Sequence, residues 1–179
     1  TARLIAGTVA PLGATRVITG MGGHGVAAIW EGAEAGPTVL LRCELDALPI
    51  EETGTPAWRS EISGKGHLCG HDGHMAMLTG VARVLSRNSP KKGRVVLMYQ
   101  PAEEDGAGAA QVVADPRYPE IAPDWAFSIH NFPGLPIGHV AVKSGPVNCA
   151  SRGMKIVLTG RTAHASQPET GTSPMQAIS

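Results

Sequence analysis

An α/β layer fold is what this sequence predicts, and three observations carry it. Strand-like and helix-like segments alternate along the chain, Thr38 to Leu45 is almost continuously apolar, and Met75, Leu78, Val81, Ala82 and Leu85 recur at helical spacing. The continuous run fits a central strand covered on both faces, and the spaced one fits a helix that lays one stripe on a core.

The elements follow in order. Leu4, Ile5 and Val9 predict a helix reaching about Leu12. Strands are expected around Thr15 to Thr19 and from Val26 to Glu31, joined by a glycine-rich turn into a hairpin. The apolar strand from Thr38 ends at Asp46, and a loop punctuated by proline and glycine leads to a helix beginning near Asp72, which suits an N-cap. Arg94 to Tyr99 reads as a buried strand, about Gly106 to Asp115 as a small-residue helix, and Trp125 to His130 and Gly138 to Val142 as two further strands. Composition shifts over Ser144 to Arg152, ahead of an alternating run from Met154 to Leu158. Residues 1–150 are therefore expected to form one domain and 151–179 the start of a second. Thr1 opens inside a helical pattern and Ser179 closes inside another, which is the expectation for part of a longer chain.

Composition excludes several functions. The 179 residues are 42% apolar with zero formal net charge, as in an ordinary soluble domain, and a phosphate-tracking surface would need a basic excess. Lys91 and Lys92 read as a solvated loop, and no nucleic-acid partner is expected. No apolar run nears the roughly 20 residues that span a bilayer, so no membrane partner is expected and the location is expected to be cytoplasmic. Cys43, Cys69 and Cys149 form no even framework, and disulfides are not expected. Gly20, Gly22 and Gly25 match GxGxxG spacing, but Val-Ala-Ala-Ile-Trp follows and reads as a strand, whereas phosphate binding needs a helix N-terminus there. A tight hairpin turn accounts for the glycines.

Chemistry concentrates in GHLCGHDGH (Gly66 to His74) and QPAEE (Gln100 to Glu104). Thiolate, imidazole and carboxylate together suit borderline divalent metals, whereas calcium takes oxygen alone. Cys69 and His71 are two residues apart, so an extended loop would send both side chains to one side. A structural zinc loop is the bland alternative, but a closed four-ligand site has no use for a free carboxylate beside a ligand one. Of the adjacent Glu103 and Glu104, one can bind metal while its neighbour holds a water. Isolated surface glutamates would be solvated charges, yet these leave the end of a buried strand. His130 leaves the end of another. Asp72 can cap the helix or brace an imidazole, and His67 and His74 read as hydrogen-bonded neighbours.

Five motifs in one order then resemble a known family: LDALPIEE (Leu45 to Glu52), CGHDGH (Cys69 to His74), QPAEE, HNFPGLPIG from His130, and GRTAHASQP (Gly160 to Pro168). Together they resemble the metal-dependent amidohydrolases that include hippurate hydrolase, the plant auxin-conjugate hydrolases and N-acetyldiaminopimelate deacetylases. The resemblance implies a metallo-aminopeptidase-like α/β/α catalytic domain interrupted by a smaller α+β lid domain, of which residues 151–179 would be the beginning. It implies two divalent ions (Mn2+, Zn2+, Ni2+ or Co2+), held by Cys69, His71, Glu104 and His130 with Cys69 placed to bridge. It further implies Glu103 as general base, Asp46 as a brace behind the metals, and His164 as a donor to the scissile carbonyl. The family's last histidine ligand lies near the C-terminus of its full chain and has no counterpart before Ser179. Cys43 and Glu44 stand where relatives commonly carry Ala and Asp, for which a small effect on polarity is expected.

The expected function is hydrolysis of the amide bond of an N-acyl amino acid (hippurate-like, N-acetyl or auxin-type), by a water that the metals acidify and Glu103 deprotonates. The alternative is a catalytically incomplete metal-binding piece. The expected partner is that small-molecule substrate, with a homodimer through the lid as a family expectation.

Overall fold

Alternating side chains in each strand decide which layer a residue joins. The computed structural model describes residues 1–147 and 153–178; Cys149 and the expected boundary after residue 150 lie outside them. By internal contacts the chain divides into two units, Thr1–Gly134 and Leu135–Ser179.

In the first unit, helix α1 (Ala2–Val9) buries Ile5 and Val9, one turn apart, and tightens into a 3-10 turn at Ala10–Leu12. The Trp30 indole fastens that turn, its Nε1 donating to the Leu12 carbonyl at 3.3 Å. Strands β1 (Arg16–Met21) and β2 (Gly25–Glu31) make the expected antiparallel hairpin. Because a strand follows Gly25, the glycine turn cannot present a helix N-terminus, and a nucleotide reading of it ends there. Strands β3 (Glu34–Glu44), β4 (Lys92–Gln100) and β5 (Trp125–Ser128) complete a sheet of order β1-β2-β4-β3-β5. β4 pairs antiparallel with β2 and parallel with β3, which pairs parallel with β5.

Two helical layers cover this sheet. Val26, Ala28 and Trp30 of β2 and Leu97 and Tyr99 of β4 pack with Cys43 and Leu45 under α1 and helix α2 (His71–Leu85). Their neighbours of opposite parity, Ala27, Ile29, Val96 and Met98, pack with Leu40 against Val112 and Ile121 on the other face. Val112 belongs to helix α3 (Gly108–Val113), shorter than the span read from sequence. The result is the expected α/β/α arrangement. Each fully buried apolar side chain, such as Leu97, contributes on the order of 2 kcal/mol by leaving water.

Three parallel strands ending together set the position of the site. Register pairs Glu44 with Gln100 and Arg42 with Ser128, so the carboxyl ends of β3, β4 and β5 share one edge. α2 begins at that edge. Its buried face runs His71, His74, Met75, Leu78, Ala82 and Leu85, so the stripe that anchors the helix also turns two histidines inward. The N-cap is Gly70 rather than Asp72: φ at Gly70 is 85°, a left-handed turn that an Asp N-cap in the β region does not make.

In the second unit the expected strand over 138–142 does not form. Those residues are exposed, and the backbone bond described among them, His139 N–H to the Pro136 carbonyl, closes a local turn instead of pairing with a neighbouring strand, without which alternating apolar side chains cannot make a strand. Among the described residues the alternating run 154–158 is unpaired as well, and the unit's described pairing is one antiparallel bridge, Arg161 to Thr172. Among the described residues no helix is long and apolar enough to cross a membrane.

Candidate metal centre

Each segment leaving the shared edge delivers a polar group to one place. After β3 comes Asp46, after β4 come Glu103 and Glu104, after β5 comes His130, and the first turn of α2 supplies His71. The turn behind the two glutamates is tight. Ala102 takes φ 50°, the one left-handed non-glycine among the described residues, and strain of this kind persists only where surrounding contacts hold it. Gly108 allows that turn to close, since a Cβ there would stand within bonding distance of the Pro101 carbonyl oxygen.

Hydrogen-bond partners fix the histidine tautomers. His71 is 1% exposed, and its Nδ1–H donates to the Asp46 carbonyl oxygen at 3.0 Å. Nε2 therefore carries the lone pair. Among the described residues it is buried without a hydrogen-bond partner, and it lies 3.8 Å from Glu103 Oε2 and 3.7 Å from Glu104 Oε1. His130 repeats the pattern: Nδ1–H donates to the Asn131 carbonyl at 2.8 Å, and Nε2 lies 3.6 Å from Cys69 Sγ. Donor atoms of Cys69, His71 and Glu104 all lie within 4.8 Å of one another.

Asp46 braces two of these groups at once. Its backbone oxygen orients His71, and its carboxylate Oδ2 accepts the Glu104 N–H at 3.0 Å. Electrostatics point the same way. Burial, with the negative charges of Glu104, Glu103 and Glu44, pushes the Cys69 thiol up to about 11, so its thiolate needs a compensating cation. A lone-pair nitrogen buried between two carboxylates beside a thiol matches the donor set of a divalent metal, and the residues fit that group.

Within the first unit, Asp72 and His67 are not part of this cluster. Asp72 is exposed and its Oδ1 accepts the neighbouring Gly73 N–H, with no imidazole as partner. His67 lies in a cleft between α1 and α2, its Nδ1 buried without a partner among the described residues. His164 belongs to the second unit. There its Nδ1 accepts from the Ser166 N–H at 3.2 Å and meets the Ser166 hydroxyl at 2.8 Å, which leaves Nε2–H as a donor.

Sequence reasoning missed two residues. Glu44, expected to affect only polarity, is 1% exposed and paired with Arg42 and with His74 Nδ1 at 2.8 Å. Burial alone would push its carboxyl up, but the His74 hydrogen bond and the Arg42 charge outweigh that and hold it below the ordinary value. Asn131, never singled out, contacts His74 and crowds Gly70. The available signal was the i, i+3 spacing of His71 and His74, which put both on the apolar face of α2.

Comparison with known proteins agrees with this geometry. The model of peptidase family M20/M25/M40 matches residues 40–176. An N-acetyl-L-cysteine deacetylase of Bacillus subtilis is 42% identical over 153 residues, covering 84% of this chain and 36% of that protein. An IAA-amino acid hydrolase ILR1-like protein of Arabidopsis thaliana is 36% identical over 144 residues, covering 80% and 33%. The crystal structure of a Bacillus subtilis protein, described as a dinuclear metal binding peptidase from the M20 family, superposes with a TM-score of 0.72 at 33% identity, over 81% of this chain and 40% of that one. The chain thus spans well under half the length of these relatives. With its motifs, its α/β/α sheet and its cluster of thiol, imidazole and carboxylate in agreement, the chain belongs to peptidase family M20/M25/M40.

Proposed function

We propose that this chain provides the metal-holding part of a hydrolase that cleaves the amide bond of N-acyl amino acids. The observation that carries the reading is His71 Nε2, a buried lone pair with no hydrogen-bond partner among the described residues, which faces the carboxylates of Glu103 and Glu104. The relatives named for N-acetylcysteine and for IAA-amino acids both act on an acyl group joined to an amino acid, and this supports the substrate class.

Cys69, His71, Glu104 and His130 would hold two divalent ions, Mn2+, Zn2+, Ni2+ or Co2+. When bound, such ions supply Lewis acidity toward the amide carbonyl and acidify a water. Asp46 keeps His71 and Glu104 in direction through the two hydrogen bonds it accepts. Glu103 takes the proton of the attacking water on its carboxylate and returns it to the leaving nitrogen. His164, with Nε2–H as donor, would hydrogen-bond the carbonyl oxygen as negative charge develops there. Residues 151–179 would begin a lid domain, through which a homodimer would form.

Elemental analysis of the full-length protein, beside Cys69→Ser and Glu104→Ala, tests the site, and hydrolysis of N-acetylcysteine and of N-acyl aromatic amino acids tests the reaction. The expected result is bound metal that both variants lose, and turnover that a chelator removes and added metal restores. Turnover that persists through chelation would defeat the proposal.

A further inference from the structure

Behind the metal-holding cluster lies a second set of polar groups that the proposed reaction does not use. Glu44, the last residue of β3, and His74, in the first turn of α2, are each about 1% exposed at the side chain. Two charges or dipoles so deeply buried are costly unless every partner is present. Here the partners are present. Glu44 Oε1 pairs with Arg42, whose Nε donates to Gln100 Oε1 at 2.8 Å, and Glu44 Oε2 accepts from His74 Nδ1 at 2.8 Å.

The far side of the His74 ring meets the residue next to a proposed ligand. His74 Nε2 accepts the Asn131 backbone N–H at 2.9 Å; the Asn131 side-chain oxygen stands 2.8 Å from the same nitrogen, which in this tautomer has no hydrogen to give it, so the backbone N–H makes the bond. Asn131 in turn accepts the His130 Nδ1–H on its backbone oxygen at 2.8 Å. The His74 and His130 rings lie edge to face with centroids 4.6 Å apart. The Asn131 amide also lies against Gly70, between Cys69 and His71, so closely that a Cβ on Gly70 would stand 2.9 Å from it.

We infer that Glu44, His74 and Asn131 form a positioning relay, which fixes the direction of the His130 imidazole and the seating of the Cys69–His71 turn; this rests on the metal-holding role proposed above. Arg42 and Gln100 complete it from β3 and β4. Donor atoms of Glu44, His71, His74 and His130 also lie within 4.8 Å of one another, which offers a second reading as a separate buried metal site. That reading is disfavoured because both His74 nitrogens are already engaged, one by Glu44 and one by Asn131. His74 orients a ligand instead of being one. A hydrophobic replacement would fill the same volume, but it would leave the rotation of the β5 exit about His130 unspecified.

The test is a Co2+ titration of the full-length protein, reading both the apparent Kd and the visible absorption of the bound ion, with thermal melting of the metal-free protein as a folding control. His74→Gln removes the ring N–H that Glu44 accepts, and Asn131→Ala removes the side chain that packs against Gly70 from an exposed position. Each is expected to weaken Co2+ binding about 10- to 100-fold and to shift the visible band, as loss of a group that orients a ligand does. The double variant is expected to be little worse than the weaker-binding single, since both act through one chain of contacts. If the unsubstituted protein binds Co2+ and both variants match it in Kd and spectrum, the relay is overturned while the metal reading stands. If the unsubstituted protein binds no Co2+, the metal reading fails and the relay with it. Should His74→Gln not fold, Glu44→Gln, which keeps the side-chain volume and removes the charge that orients His74, takes its place.

Discussion

Exchanging Glu103 and Glu104 one at a time for glutamine separates the two roles assigned to adjacent, chemically identical residues. Distance does not distinguish them, at 3.8 Å and 3.7 Å from His71 Nε2. Their restraint does. Glu104 is 26% exposed at the side chain, against 38% for Glu103; its N–H is held by Asp46, and it shares a cluster with Cys69. Glu103 is the more open to solvent and the better placed to meet water. A positioned general base contributes about 10² to 10⁴ in rate, equivalent to about 2.7 to 5.4 kcal/mol of barrier. Glu103→Gln in the full-length protein is therefore expected to lower kcat by about 10² to 10⁴ while KM stays within about threefold. Metal content should be retained. Glu104→Gln should lose metal, and turnover with it. Both side chains are partly exposed, so melting of the metal-free protein should change by no more than about 0.5 kcal/mol. Steady-state kinetics beside elemental analysis reads all three quantities. A Glu103→Gln enzyme keeping more than about a tenth of its turnover would refute the base assignment. Loss of metal from that variant with retention in Glu104→Gln would show that the roles are exchanged.

Three further outcomes follow from single positions. Asp115 clamps the β1–β2 turn through Arg117 and the Gly22 N–H; the Arg117 hydrogen bonds, chiefly from its side chain, hold the carboxyl well below the carboxylate range. A depressed folded pKa stabilises above the unfolded value of about 3.9 and fades as pH falls below it, so urea unfolding should separate wild type from Asp115→Asn more at pH 7 than at pH 3. An equal gap at both would remove the carboxylate from the account. Gly70→Ala should cost about 1–2 kcal/mol from its left-handed φ alone and more from the Asn131 contact. Denaturant curves in an Asn131→Ala background should recover the steric part, and no recovery would mean the contact carries none of the cost. Ala102→Gly should stabilise the metal-free protein by up to about 1 kcal/mol by relieving φ 50°, and a lower melting temperature would contradict the strain.

The hairpin was legible because glycines between two apolar runs leave few other conformations, and α2 was legible because its apolar stripe, Met75 to Leu85, persists over about three turns. The helix starts at His71, next to the expected position, but its N-cap is two residues before Asp72. Asp is a frequent N-cap, but the chain instead uses a left-handed Gly70, and the Asn131 side chain that leaves room only for glycine is 61 positions away. The strand over 138–142 failed for a related reason: alternation describes a surface, while a strand also needs a neighbouring backbone.

By itself the sequence determined the kinds of atoms the site can offer and the local elements that deliver them, because side-chain chemistry and short-range periodicity need no knowledge of the rest of the chain. Cys69, His71, Glu103, Glu104 and His130 could all be named from residue type and placement at apparent strand ends. Tertiary structure decided what those atoms do to one another. Sheet order brought three strand ends to one edge, a carbonyl at Asp46 chose which nitrogen of His71 carries the lone pair, and Asn131 engaged a ring 57 residues away. Tautomer, charge compensation and burial are properties of partners brought together by folding, and Glu44 and His74 partner each other across 30 positions of the chain.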